Sequence, residues 1–90
     1  MSGDSLTFAA RIGVEVKGET WSCLEIPDSA EFFGSGKAVR VDAEVDGIPM
    51  RDIGAMPTGQ GGHMISLNAK ARKMLGKDVG DLVDVVVSKR

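Results

Sequence analysis

The feature that most constrains this chain is the alternation from Thr7 to Lys17. Phe8, Ala10, Ile12, Val14 and Val16 fall at every second position, with Arg11, Gly13, Glu15 and Lys17 between them. A period of two puts the apolar set on one face of an extended segment, so the spacing predicts a strand with one side in a core. The pattern returns from Lys37 to Val45, where Val39, Val41, Ala43 and Val45 face inward and Arg40, Asp42 and Glu44 outward. It returns again in His63 to Leu67 and in Asp81 to Ser88, where Val83, Val85 and Val87 share a face and Leu82 and Val86 add to the other. Trp21 to Ile26 reads as a further strand, entered through the Lys17-Gly18-Glu19 turn. Ile48 to Met56 is a sixth, weaker one, since Pro49 cannot donate to a ladder and Gly54 packs poorly, which places it near an edge or a bulge.

Punctuation between the strands predicts two short helices. Pro27 stops the second strand, and Asp28-Ser29-Ala30-Glu31 has the form of a capping box, with Phe32 and Phe33 to bury and Gly34 and Gly36 to end the helix. Asn68 is suited to cap a helix over Ala69 to Leu75, with Ala71, Met74 and Leu75 as its apolar stripe and Gly76 closing it. Asp46-Gly47 is the signal of a two-residue hairpin. The order strand, strand, helix, strand thus occurs twice, over 7–45 and 48–88, after a tail expected to be disordered over 1–6. LEIPDSAEFFG echoes ISLNAKARKMLG as a weak internal duplication. Half-buried strands of this kind lose their exposed edges when they wrap around one interior. The expectation is a mainly β, single-domain, closed six-stranded barrel with two short helices and a pseudo-twofold repeat.

Ninety residues suffice for one modest core, and charged residues at 27% argue against disorder. No run approaches the roughly 18 apolar residues of a membrane span, and the first residues lack the pattern of a signal peptide, so a cytoplasmic location is expected. Cys23 is the only cysteine and His63 the only histidine, which leaves no internal disulfide and no basis for a protein-only zinc site. No metal or cofactor is expected. The net charge is −2, divided as four basic and eight acidic residues through Val45 and seven basic and five acidic after it. Any anion-attracting surface therefore belongs to the second half. With one Trp, no Tyr and a pI near 5.3 the chain lacks the basic field and stacking aromatics of a general nucleic-acid binder.

Three stretches carry a resemblance: WSCLEIP, KAVRVDAEVDGIPMRDIGAMPTGQGGHMISLN and GKDVGDLVDVVV. In order and spacing they resemble the bacterial family described as domain of unknown function 1905, from Phe8 to Val87. The most specific parts are the DG turn followed by Arg51, the GQGGHM loop, and Gly80-Asp81. The resemblance implies a small β-barrel and no established activity. Family members often sit beside a YdeI/OmpD-associated type domain, for which this chain is expected to need a separate protein. NAKARKMLGKDVGDLVDVVV also looks like the helix, Gly-Asp box and strand of AbrB-like barrels, some of which bind DNA. In that likeness Gly80 would allow a tight turn and Asp81 would accept backbone N–H groups.

The candidate site is the loop Thr58-Gly59-Gln60-Gly61-Gly62-His63, whose glycines let N–H groups converge on an anion. It lacks the Lys-Ser/Thr and the helix of a P-loop, so nucleotide hydrolysis is not implied. With Arg51 and Arg72, the residues Gly59, Gly61, Gly62 and His63 are expected to form a barrel mouth that holds a small anionic or polar ligand or a partner segment. His63 is placed as a strand-end residue at the solvent boundary. Two alternatives are a DNA-binding AbrB-like barrel using the basic face of Lys70, Arg72, Lys73 and Lys77, and a weak hydrolase using His63. No orienting carboxylate, nucleophile elbow or paired-carboxylate signature supports the latter. Trp21 reads as a core or rim packer.

Overall fold

The computed structural model of the chain describes residues 5–90. Its strands are β1 (Ser5–Arg11), β2 (Val14–Val16), β3 (Glu19–Trp21), β4 (Cys23–Ile26), β5 (Val39–Val45), β6 (Ile48–Pro57), β7 (His63–Ser66) and β8 (Leu82–Lys89). Helix α1 spans Ser29–Phe33 and α2 spans Ala69–Leu75. Six strands form one antiparallel sheet in the order β1-β8-β5-β6-β7-β4, and β2 pairs with β3 in a separate hairpin. The architecture is the expected mainly β barrel with two helices, but it is nearly closed rather than closed. Among the described residues no ladder joins β1 to β4. They meet where the Gly13 N–H donates to the Cys23 carbonyl at 2.8 Å.

The inward side chains are those the alternation selects. Ile12, Leu24, Ile26, Val41, Val45, Ala55, Ile65, Leu67, Val83, Val85 and Val87 are buried in one cluster. Truncating a side chain such as Leu24 or Ile65 to alanine costs about 2–5 kcal/mol, because the transfer term and the cavity term add. On the outside of the sheet Val14, Cys23 and Met64 make a second, smaller cluster with Val16 against it. Two differences from the sequence reading explain that cluster. The first strand begins at Ser5, with residues 1–4 of the expected tail outside the described part, and it breaks at Ile12–Gly13 instead of running to Lys17. Gly13 has φ 134°, a backbone setting that side chains resist, and the kink folds the β2–β3 hairpin over the outer face of β4 and β7. Trp21 is left 42% exposed in that hairpin.

Asp46-Gly47 makes the expected two-residue turn, with φ of 49° and 84° and Val45 paired to Ile48. β6 satisfies both expectations for it. Its register against β5 shifts between Val41 and Ala43, a bulge that accommodates Arg51 and Asp52. β7 reaches only Ala55–Pro57, so Pro49 lies on a stretch with no strand on its other side. Asn68 caps α2 by accepting from the Ala71 N–H at 2.8 Å, and Gly76 closes it in the left-handed conformation. Only Ala71 and Leu75 of the expected stripe pack on the core. Met74 is 60% exposed, since a seven-residue helix presents one i, i+4 pair to the barrel. The capping box of α1 does not form. Asp28 sits at φ 53° and makes no side-chain cap, and the Ser29 hydroxyl is turned into the interior.

Because β4 and β7 pair antiparallel, the helices that follow them leave at opposite ends of the barrel. Exchanging β1, β4 and β5 with β6, β7 and β8 returns the same neighbours around the ring once β1 and β4 are counted as adjacent. The expected repeat is thus compatible with the connectivity. No helix is long and apolar enough to cross a membrane among the described residues.

Candidate functional site

The residues of the expected mouth are divided among three places. The 57–63 loop and His63 lie at the end where β4 finishes and α1 begins, since Ile26 pairs with His63 and Pro57 with His63. Arg72 lies on α2, at the other end. Arg51 is on the outer face of β6, beside the bulge. One hollow is lined by Arg51 and another by Arg72, and neither is lined by His63 or the glycines.

His63 is not at the solvent boundary. It is 0% exposed. Its Nε2 is 2.8 Å from the Lys37 carbonyl and its Nδ1 is 2.8 Å from the Ser29 Oγ, while Phe33 packs edge-on at 4.9 Å between centroids. A carbonyl only accepts, so the hydrogen-bond network assigns the ring hydrogen to Nε2. In the neutral ring Nδ1 then accepts from the Ser29 hydroxyl. This has the polarity of a nucleophile held by a base, but Ser29 is 1% exposed, and among the described residues the ring's other nitrogen is bonded to a carbonyl and not to a carboxylate. The interaction fastens the start of α1 and the segment before β5 to the start of β7. Gly62 closes over it: a Cβ there would lie 3.6 Å from the Ser29 Oγ and 3.8 Å from a Glu25 carboxylate oxygen. Gly59 and Gly61 face open space in left-handed conformations, as turn residues do.

Arg72 is committed to the fold. It donates to the Leu67 carbonyl at 2.6 Å and pairs with Asp78 at 3.3 Å. Lys77 bonds Asp46 at 2.7 Å and the Leu82 carbonyl at 2.8 Å. With Lys77 and the Asp84 N–H both donating to it, the Asp46 carboxyl is held below the usual carboxylate range. Half of the basic face proposed for DNA is thereby neutralised. Gly80 and Asp81 behave as their resemblance implies: Gly80 turns at φ 98°, and an Asp81 oxygen accepts from the Asp78 N–H at 2.9 Å.

At the bulge, the left-handed Asp52 turns its N–H to Asp42 at 2.8 Å. Arg90 reaches the same Asp42 oxygen at 2.6 Å, and Arg40 bonds both the carboxylate and the carbonyl of Asp52. The Asp42 pKa is lowered by the Asp52 N–H first and by Arg90 second. Next to this network Asp42, Ala43, Glu44, Pro49, Arg51, Val86 and Ser88 line a hollow of about 140 Å³. Sequence reasoning named Arg51 but set it at a mouth with the glycine loop, and it named neither Glu44 nor Ser88 for a site. Their outward positions on β5 and β8 were readable, but the pairing that brings them together was not.

No group of three His, Cys, Asp or Glu side chains placed to hold a metal occurs among the described residues. Burial raises the pKa of the Cys23 thiol, with a hydrogen bond to Ser66 opposing it, so this cysteine is a packing residue. No curated protein matches the chain. The family model described as Domain of unknown function (DUF1905) matches residues 8–87, nearly the whole barrel from β1 to β8, and the chain therefore belongs to that family.

Proposed function

We propose that this chain is a small non-catalytic binding module, and that its contact point for a small anionic or polar ligand is the hollow around Arg51. One observation carries the reading. Arg11, Arg40, Arg72 and Arg90 each spend their guanidinium on a protein oxygen, whereas Arg51 makes no hydrogen bond or ion pair among the described residues. A free guanidinium presents a planar fork of donors that suits a carboxylate or a phosphate. At about 140 Å³ the hollow accepts one such group and not a drug-sized molecule. Glu44 beside it favours a ligand that also carries an ammonium group, and the Ser88 side chain adds a hydroxyl.

The glycine loop, His63 and Arg72 have no part in this reading, because two ends of the barrel and their own internal bonds hold them. The hydrolase alternative loses its support with the burial of Ser29 and His63, and the DNA alternative with the pairing of Arg72 and Lys77. The test is a nuclear magnetic resonance titration of the chain with acetate, inorganic phosphate and glycine. Amide shifts at Glu44, Arg51 and Ser88 that vanish in Arg51→Ala are expected, largest for glycine. Shifts confined to residues 57–63, or none with any of the three, would overturn the assignment.

A further inference from the structure

The seam between β1 and β4 carries an inference that does not depend on the Arg51 hollow. The unpaired backbone groups along it follow from the ladders beside it. Ile12 bonds toward β8, donating to the Asp81 carbonyl at 2.9 Å and accepting from the Gly80 N–H at 2.8 Å. The register between β1 and β8 is unbroken from Ser5↔Ser88 to Arg11↔Leu82. In an antiparallel pair alternate residues bond to the same neighbour, so Ala10, Phe8 and Leu6 serve β8, and the N–H and C=O of Thr7 and Ala9 point away from it into the seam. On the facing side Leu67 donates to the Ser22 carbonyl, so Leu24 and Ile26 serve β7 and Glu25 points into the seam. On β1 the alternation continues through Arg11 to Gly13, and on β4 from Glu25 to Cys23; Gly13 and Cys23 bond each other and close the seam at the α2 end.

The side chains agree with the backbone. Val83, Val85 and Val87 on β8 are fully buried, while their partners across the ladder, Ala10, Phe8 and Leu6, are only half-buried. From Ser5 to Ala10 the strand carries no charge, no proline and no bulge, the devices that usually blunt a free edge. We infer that this seam accepts one extended, uncharged peptide segment from a partner protein. The segment would pair with Thr7 and Ala9 and set apolar side chains at every second position against Leu6, Phe8 and Ala10. Such strand addition takes affinity from main-chain bonds and selectivity from the alternate side chains. The facing β4 decides for a lone segment over a second copy of the chain. A strand already built into a sheet brings a neighbour on its far edge, and β4 stands where that neighbour would go.

The test uses Ala9→Pro, which removes an N–H aimed into the seam and leaves every β1–β8 bond intact. A display library of random eight-residue peptides is selected on the natural chain and on this variant, and amide exchange is measured with and without the enriched peptides. The expected result is fast exchange at Thr7, Ala9 and Glu25 in the free chain and slowing of at least tenfold when peptide binds. Enrichment of alternating uncharged sequences is expected on the natural chain alone. Should Ala9→Pro fail to fold, the selected peptides methylated on alternate amide nitrogens supply the same comparison, with one methylation pattern losing binding. Protection of Thr7 and Ala9 in the free, dilute chain would show a closed seam and overturn the inference. So would equal enrichment on both chains, or protection that grows with protein concentration while the mass doubles, which would assign the seam to a second copy.

Discussion

Helices α1 and α2 occupy equivalent places in the strand order and are fixed to the barrel by opposite means. α1 has five residues, no side-chain cap and an entry residue, Asp28, in the left-handed region, so little in its own sequence makes it a helix. It is held from inside, by the Ser29–His63–Lys37 bonds and by Phe32 and Phe33 on the core. α2 is capped at both ends by Asn68 and Gly76, rests Ala71 and Leu75 on the core without burying any residue fully, and makes its polar ties outside, through Arg72 and through Lys77 just past its cap. A short helix is marginal alone, so something must hold it. A dry polar bond tolerates no loss, because the abandoned partner stays buried, whereas a wet one is replaced by water.

That contrast orders the substitutions. His63→Ala strands the buried Ser29 hydroxyl, removes the donor to the Lys37 carbonyl and opens a cavity, and should lower stability by about 4 kcal/mol in urea titration. Ser29→Ala leaves a single buried nitrogen unsatisfied and should cost about 2 kcal/mol. On the other helix Asn68→Ala removes a cap and should cost about 1 kcal/mol. Equal losses for Ser29→Ala and Arg72→Ala would erase the distinction between dry and wet attachment. Acid gives a milder probe. The folded pKa values of Asp42 and Asp46 are lowered, so their contribution is complete above the unfolded value of about 3.9 and is lost as pH falls through the folded values. Thermal melts from pH 5 downward should show that loss, and Asp46→Asn should flatten part of it. Met74→Ala, on the exposed side of α2, should change stability by less than about 0.5 kcal/mol.

The strands were legible because burial on one face imposes a period of two, and Val39 to Val45 or Val83 to Val87 can satisfy it in one register only. The second helix was legible for a local reason as well, since a cap and its N–H are three residues apart. What could not be read was set by distant partners. Ser29 and His63 are 34 residues apart, and a histidine after a glycine-rich loop resembles a rim residue. One signal was present: His63 shares its face with Ile65 and Leu67, and taking that alternation literally places the ring in the core. Arg51 and Asp52, two polar neighbours in an alternating strand, likewise marked the bulge. The kink at Gly13 left no trace, because glycine fits a polar position of the pattern whether the strand continues or turns.

The dry attachment of α1 is read most directly from the imidazole nitrogens of His63 by nitrogen-15 resonance in the natural chain and in Ser29→Ala. In the neutral ring the structure requires hydrogen on Nε2, exchanging slowly with water, and a bare Nδ1 whose resonance moves when the serine hydroxyl is removed. A ring that exchanges its hydrogen freely, or an Nδ1 indifferent to Ser29→Ala, would mean that His63 is wet and that α1 is held by something else.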